Sequence, residues 1–230
     1  GAELVTGPAS ALLSPAMDVR QRISTGGPGE AVAGARPLSV SVVVPCFNEH
    51  QAVEPTVRRL AAVAGGHGEI VVVDDGSTDG SSALLARLAA SGELPGLRVV
   101  HHRRNLGYGA AVKTGIRRAG GDVVVIVDAD GTYPVESLDA LVAPMEHADM
   151  TVGARPWRGD ASPVLRRLPK AFLGAYCSWL VGERIPDMNS GFRAFRRDVA
   201  LRFLGVLPDG FSLTTTLTVA TMRAGYDVRF

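Results

Sequence analysis

The chain has 230 residues, 46% of them hydrophobic and 20% charged, enough for one α/β domain with a sizeable core. A formal net charge of +1 gives no footprint for nucleic acid. The two cysteines, Cys46 and Cys177, form neither a disulfide framework nor a zinc pattern; no apolar run reaches the ~18 residues that span a bilayer, and the start lacks the plan of a signal peptide.

Residues 1–36 are rich in Ala, Gly, Pro and Ser, and 24–29 read as linker. A flexible or disordered N-terminal tail is expected there, because the stretch has little to bury. Residues 37–230 then form the folded domain. Val40–Val44, Ile70–Val73, Arg98–Val100 and Val123–Val127 are short apolar runs without alternation, the pattern of strands buried on both faces. Between them Val53, Val57 and Leu60, then Leu84 and Leu88, then Ala111, Gly115 and Ala119 recur at helical spacing. This alternation predicts βαβ units: a mostly parallel, Rossmann-like sheet flanked by helices, in a single domain.

After the fourth strand the rhythm loosens. Leu138, Leu141, Val142 and Met145 predict a helix, and Met150–Gly153 a strand. Leu165–Val181 is an apolar helix, basic near its start, which Pro169 is expected to bend or begin rather than occupy from within. Ser212–Ala224 reads as a helix and Tyr226–Phe230 as a strand. The sequence stops inside that apolar run, so a longer protein is expected.

In an open parallel sheet, ligands bind beyond the carboxyl ends of the strands. The four strands are followed there by Pro45-Cys46-Phe47-Asn48-Glu49, by Asp74–Asp79, by Asn105-Leu106-Gly107-Tyr108-Gly109 and by Asp128-Ala129-Asp130-Gly131. Polar, glycine-bearing segments thus collect at one sheet edge. Alternation puts the Asp128 and Asp130 carboxylates on one side with Ala129 turned away. Two close carboxylates repel, and a hard divalent cation, Mg²⁺ or Mn²⁺, shared with substrate phosphates resolves that repulsion. A lone Asp-x-Asp is more often a solvated turn; the buried strand and three companion loops favour metal here. Asp74 and Asp75 suit either a second metal pair or a turn that caps the next helix through Ser77 or Asp79, with Asp75 placed to accept from a nucleobase N–H.

Gly107-Tyr108-Gly109 invites a dinucleotide reading, but Val112 fills the third glycine slot and the motif follows the third strand. His101 and His102 show no catalytic partner and are read as structural. Among the arginines, Arg193 lies between glycine and aromatics in Asn189-Ser190-Gly191-Phe192-Arg193 and looks least like a plain surface charge.

Val43–Glu49, Val73–Gly80, Asn105–Ala111 and Val127–Gly131 together resemble family 2 glycosyltransferases with the GT-A fold, from about residue 39 to 230. Val152-Gly153-Ala154-Arg155 and Asp187–Asp198 resemble the branch that makes dolichyl- and polyprenyl-phosphate sugars. The resemblance implies a metal-dependent, inverting transfer from a UDP- or GDP-sugar to a polyprenyl phosphate, at the cytoplasmic face of a membrane. Pro45, Asn48, Glu49, Asp75, Gly107 and Asp128 would line the nucleotide pocket. Asp128 and Asp130 would hold Mg²⁺ or Mn²⁺, and Arg155 and Arg193 would face the acceptor phosphate. Thr132-Tyr133 stands where the lipid branch often carries Gln, and Phe211–Thr216 lacks a Glu common there, so a different acceptor pocket is expected.

Other readings stay open. A hydroxyl acceptor would need a general base, for which Asp209 and Asp187 are the candidates, although Pro208-Asp209-Gly210 also reads as a turn. A non-catalytic nucleotide-sugar binding module and a nucleotidyltransferase place similar groups on an α/β sheet. The basic helix Leu165–Val181, with Phe172, Tyr176 and Trp179, suits contact with a membrane surface or an ordinary core.

Overall fold

A computed structural model describes residues 37–63, 68–154, 164–188 and 190–230, with side chains of 164–172 outside that description. The expected tail, 1–36, lies outside the described residues. Leu38–Phe230 forms one compact unit. Its seven strands are β1 (Val40–Cys46), β2 (Glu69–Asp74), β3 (Leu97–His101), β4 (Val123–Ile126), β5 (Met150–Val152), β6 (Arg193–Arg196) and β7 (Val228–Arg229). They build one sheet in the order β3-β2-β1-β4-β6-β5-β7. β1 to β4 run parallel, and β6 alone runs against its neighbours β4 and β5.

The continuous apolar runs of β1, β2 and β4 have the cause expected of them, whereas β3, expected to be buried on both faces, is the edge strand and is only partly buried. On one face Val42, Val44, Ile70, Val72, Val123 and Val125 pack with Val53, Val57 and Leu60 of α1 (Val53–Val63) and Leu84, Leu85 and Leu88 of α2 (Ser81–Ser91). On the other, Val43, Val71, Val73, Val124 and Ile126 meet Ala111, Val112 and Ile116 of α3 (Tyr108–Arg118). Successive side chains point to opposite faces, so both sets must be apolar. α4 (Leu138–Val142), flanked by two short 3-10 turns, closes the first layer. α6 (Arg197–Phe203) and α7 (Leu213–Arg223) close the second through Ala200, Leu213 and Leu217.

Two expectations need correction. Pro169 lies inside α5 (Val164–Val181), not at its start. It is the sixth residue of that helix, past the first turn, where proline costs no backbone hydrogen bond. The stretch Asp187–Asp198 contains β6 and opens α6. The last strand, expected over Tyr226–Phe230, is the two-residue β7.

The glycines of Gly107-Tyr108-Gly109 let the backbone come close to the loop that holds Pro208 and Asp209. A Cβ on Gly109 would stand 2.2 Å from the Pro208 carbonyl oxygen, and one on Gly107 would stand 2.6 Å from that of Asp209. Gly107 also has φ 102°, which side chains rarely adopt. The Ala110 N–H donates to the Asp209 carbonyl at 3.1 Å. Lys113 Nζ donates to the Leu207 carbonyl and pairs with the Asp209 carboxylate. The loop before α7 is thereby clasped onto the start of α3.

Candidate active site

A cavity of about 680 Å³ opens at the carboxyl ends of β1, β2, β3 and β4. Pro45, Cys46, Phe47 and Glu49 supply one wall, Asp75, Asn105 and Gly107 the next, and Asp128, Ala129 and Asp130 the floor. Tyr108, Ala111, Gly191, Phe211 and Thr214 complete the far side.

The first two loops are tied to each other before any ligand arrives. Asn48 sits at φ 57°, a left-handed conformation that Asn tolerates. Its backbone N–H donates to Ser77 Oγ at 2.9 Å, and its Oδ1 accepts from the Thr78 N–H at 2.8 Å. The Glu49 N–H donates to Ser81 Oγ, and the His50 N–H to Asp79 Oδ2. Asn48 does not itself line the cavity; it holds the two loops that do. Asp79, not Ser77, serves the start of α2, accepting from the Ser81 N–H at 3.0 Å and the Ser81 hydroxyl at 2.6 Å. The hydroxyl contact leads in holding its carboxyl down at about 2.

Asp74 and Asp75 do not form a metal pair. Asp74 is buried and accepts from the Ser77 N–H, the Ser82 hydroxyl and His101. Burial alone would raise its carboxyl, but those contacts outweigh it and hold it below the usual range. Asp75 Oδ1 accepts from the Leu106 N–H at 3.0 Å and lies 2.6 Å from His102 Nδ1; its Oδ2 accepts from the Gly107 N–H at 2.8 Å. His102 Nε2 reaches Thr114 Oγ1 at 2.9 Å. The two histidines read as structural each orient an aspartate of the second loop, a pairing across 27 positions that spacing does not reveal.

The floor carries the electrostatic tension. Ala129 turns into the core, its carbonyl accepting from Thr56 Oγ1 at 3.2 Å, while both aspartates line the cavity. Asp128 Oδ1 and the Tyr108 hydroxyl are buried close to each other, and neither meets a full hydrogen-bond partner. Burial above all, then the Asp130 charge, pushes the Asp128 carboxyl up against the opposing pull of Tyr108, Tyr133 and Arg193. Burial, then Asp130, Asp79 and Asp128, raises Glu49 likewise. A Cβ on Gly191 would stand 2.8 Å from Asp128 Oδ2, so only glycine lets that loop close on the carboxylate. Asp130 is exposed, and its Oδ1 accepts from the Thr132 N–H at 3.0 Å and hydroxyl at 2.8 Å. Among the described residues no three metal-ligating side chains converge, so an ion here needs oxygens from its ligand as well. An orphaned carboxylate oxygen beside a second carboxylate fits a hard cation.

The raised carboxyls give a sign to the pH dependence. The folded state holds these protons more tightly than the unfolded chain, so stability falls as pH rises above about 4 toward the raised values. A bound cation removes that loss. Adding Mn²⁺ is therefore expected to raise the melting temperature by a few degrees more at about pH 8 than at about pH 5. An equal gain at both would show that the raised carboxyls do not bind the ion.

Arg155, an expected site residue, lies outside the described residues, and two others, Arg193 and Asp209, stand away from the cavity lining. Arg193 is fully buried, with every N–H spent on the Ser190, Met188 and Thr214 carbonyls and Thr218 Oγ1. It does not face the cavity. Asp209 points outward in its ion pair with Lys113 and does not line the cavity, in keeping with its turn reading. Sequence reasoning passed over Tyr108, Gly191, Phe211 and Thr214 as lining residues. Only Gly191 carried a signal, as the small residue between Ser190 and Phe192.

The model of the family described as "Glycosyl transferase family 2" matches residues 41–203. The chain belongs to glycosyl transferase family 2. It is 35% identical over 190 residues to the undecaprenyl-phosphate 4-deoxy-4-formamido-L-arabinose transferase of Pseudomonas fluorescens, covering 77% of this chain and 55% of that protein. The chain thus spans about half the length of that relative. It is 32% identical to the polyprenol monophosphomannose synthase of Mycolicibacterium smegmatis, covering 88% of this chain and 79% of that protein. Glucosyl-3-phosphoglycerate synthase from Mycobacterium tuberculosis, crystallised with Mg²⁺ and UDP, superposes with TM-score 0.63 at 26% identity over 84% of this chain and 69% of that one. The architecture is GT-A, as the strand order and site edge require.

Proposed function

We propose that this chain transfers a sugar, with inversion, from a UDP- or GDP-sugar to a polyprenyl phosphate, using Mg²⁺ or Mn²⁺. The observation that carries this is the buried, unpartnered Oδ1 of Asp128 beside Asp130 on the floor of the cavity. Both similar proteins named above act, by their names, in making polyprenyl-phosphate sugars, and the solved neighbour holds Mg²⁺ with UDP.

Asp128 and Asp130 would hold the ion together with the diphosphate. When bound, it supplies Lewis-acid relief of the charge that departs with the nucleoside diphosphate. Phe47 and Pro45 would flank the base, and Asp75, pre-aimed by His102 and two backbone N–H groups, would accept from a base N–H. A phosphate monoester, with a second pKa near ~6, is already largely ionised at neutral pH and needs orientation more than a base. The alternative hydroxyl acceptor needs one, and both candidates are engaged: Asp209 with Lys113, and Asp187 with the Ser190 N–H.

Calorimetry with UDP, GDP and their sugar conjugates tests the donor side. One nucleotide should bind with Mn²⁺ or Mg²⁺ and be released by chelator. Binding of NAD-type ligands alone would overturn the reading, and pyrophosphate release would indicate a nucleotidyltransferase instead.

We place the reaction at the cytoplasmic face of a membrane. No helix of the described residues is long and apolar enough to cross one. On α5, Leu173, Tyr176 and Trp179 are exposed, Trp179 by 74%, and the two aromatic rings stack. That face suits insertion among headgroups. Co-sedimentation with anionic vesicles at low salt is expected, and its absence would count against the placement.

A further inference from the structure

Phe211 is 83% exposed, more than any other large hydrophobic side chain of the described residues. A single exposed apolar residue normally needs no explanation. This one lines the cavity and stacks on Tyr108, with ring centroids 5.4 Å apart and planes 19° from parallel. Its backbone is not loose, because the clasp of Asp209 and Leu207 onto Ala110 and Lys113 fixes the loop that carries it. A firmly placed aromatic with a bare face in a ligand cavity has apolar area waiting to be covered.

The occupant follows from the neighbours. Phe211 lies just before α7 and shares the cavity lining with the start of α3. Beside it are the Tyr108 ring, Ala111 one turn along α3, and Thr214, whose hydroxyl is turned to the Phe211 carbonyl at 3.5 Å. A sugar ring there would find few partners for its hydroxyls. A hydrocarbon would lose nothing. Leu106, 46% exposed, is a second exposed apolar side chain next to Gly107, which packs on the Asp209 carbonyl. The inner end of the wall is the Tyr108 hydroxyl beside Asp128, where a cation and phosphates would meet.

We propose that Phe211, backed by Tyr108, is the platform for the first isoprene units of the acceptor, guiding a prenyl phosphate with its head toward the Asp128 floor and its tail toward solvent. This rests on the prenyl phosphate reading above and assigns its hydrocarbon a place.

The test is calorimetry on the full chain with farnesyl phosphate, inorganic phosphate, UDP and a UDP-sugar, in the presence of Mn²⁺. Wild type should bind farnesyl phosphate more tightly than inorganic phosphate. Phe211→Ala should weaken farnesyl phosphate about tenfold, with inorganic phosphate and UDP unchanged. Phe211→Trp should restore most of the loss. Equal farnesyl phosphate binding by wild type and Phe211→Ala overturns the platform and leaves the acceptor reading standing. Weaker UDP-sugar with unchanged UDP in Phe211→Ala assigns the wall to the sugar and also overturns it. Wild type that binds UDP but no farnesyl phosphate overturns the acceptor reading itself, and the platform with it.

Discussion

Asp130→Asn is expected to lower sugar transfer about a thousandfold, the rate equivalent of the several kcal/mol that a charge-neutralising ion supplies. Its melting temperature should stay that of the wild type. Asp130 is exposed and its Oδ1 holds the Thr132 turn, a contact an Asn oxygen repeats. Asp128→Asn should lose activity to a similar degree, yet in metal-free buffer it should be as stable as wild type or more so. The native carboxyl is buried, repelled by Asp130 and left with an unpartnered oxygen, so its charge costs the apo fold stability. An isostere without charge relieves that cost. Activity lost together with a lower melting temperature would make Asp128 a structural residue, and retained activity would remove it from the metal site. The combination of lost function and undiminished stability is the signature of a site that trades stability for ligand affinity.

The parallel half of the fold was legible because burial on both faces forces unbroken apolar runs, and β1, β2 and β4 have them. The site edge was legible for the same reason, since every polar residue beyond such a run stands out. β6 was not. Its sequence, Arg-Ala-Phe-Arg, has the hydropathy of a surface segment, although it lies between β4 and β5 inside the sheet. What lets an arginine sit there is a set of carbonyls from Met188, Ser190 and Thr214, which only the folded chain assembles. The same limit hid the wall of the cavity. Tyr108 and Phe211 are about a hundred positions apart, and the glycines beside Tyr108, which invite a dinucleotide reading, stand against the Pro208 and Asp209 carbonyls. Local pattern reports burial; it does not report which distant partner does the burying.

Arg193 separates the two explanations of the basic motif in Asp187–Asp198 most sharply. If it served an acceptor phosphate, Arg193→Lys would keep the fold and raise the acceptor KM. The geometry predicts the reverse. Nε donates to Ser190 at 2.9 Å, Nη1 to the Thr214 carbonyl and Thr218 Oγ1 at 2.9 Å each, and Nη2 to Met188 at 3.2 Å and again to Ser190. Burial lowers its pKa to about 10, against the neighbouring Tyr108, Asp187, Tyr133 and Asp128, and it remains charged at neutral pH. Lysine has three donors on one point and cannot span a fork that bridges two segments. The abandoned carbonyls and the unsatisfied buried charge should cost about 3–5 kcal/mol, which for a domain of this size lowers the melting temperature by about 10 °C. Arg193→Met removes the charge but still leaves the carbonyls unpaired, so it should be destabilised too. A thermal melt of Arg193→Lys at the wild-type temperature would return the residue to the acceptor. The activity of whatever remains folded should fall as well, for a reason the contacts supply. Ser190, which the guanidinium holds twice, precedes Gly191, and Gly191 packs on the Asp128 carboxylate; Thr214, held by Nη1, lines the cavity beside Phe211. One buried side chain thereby fixes the spacing between the carboxylate floor and the aromatic wall, and a shorter cation in its place would loosen both at once.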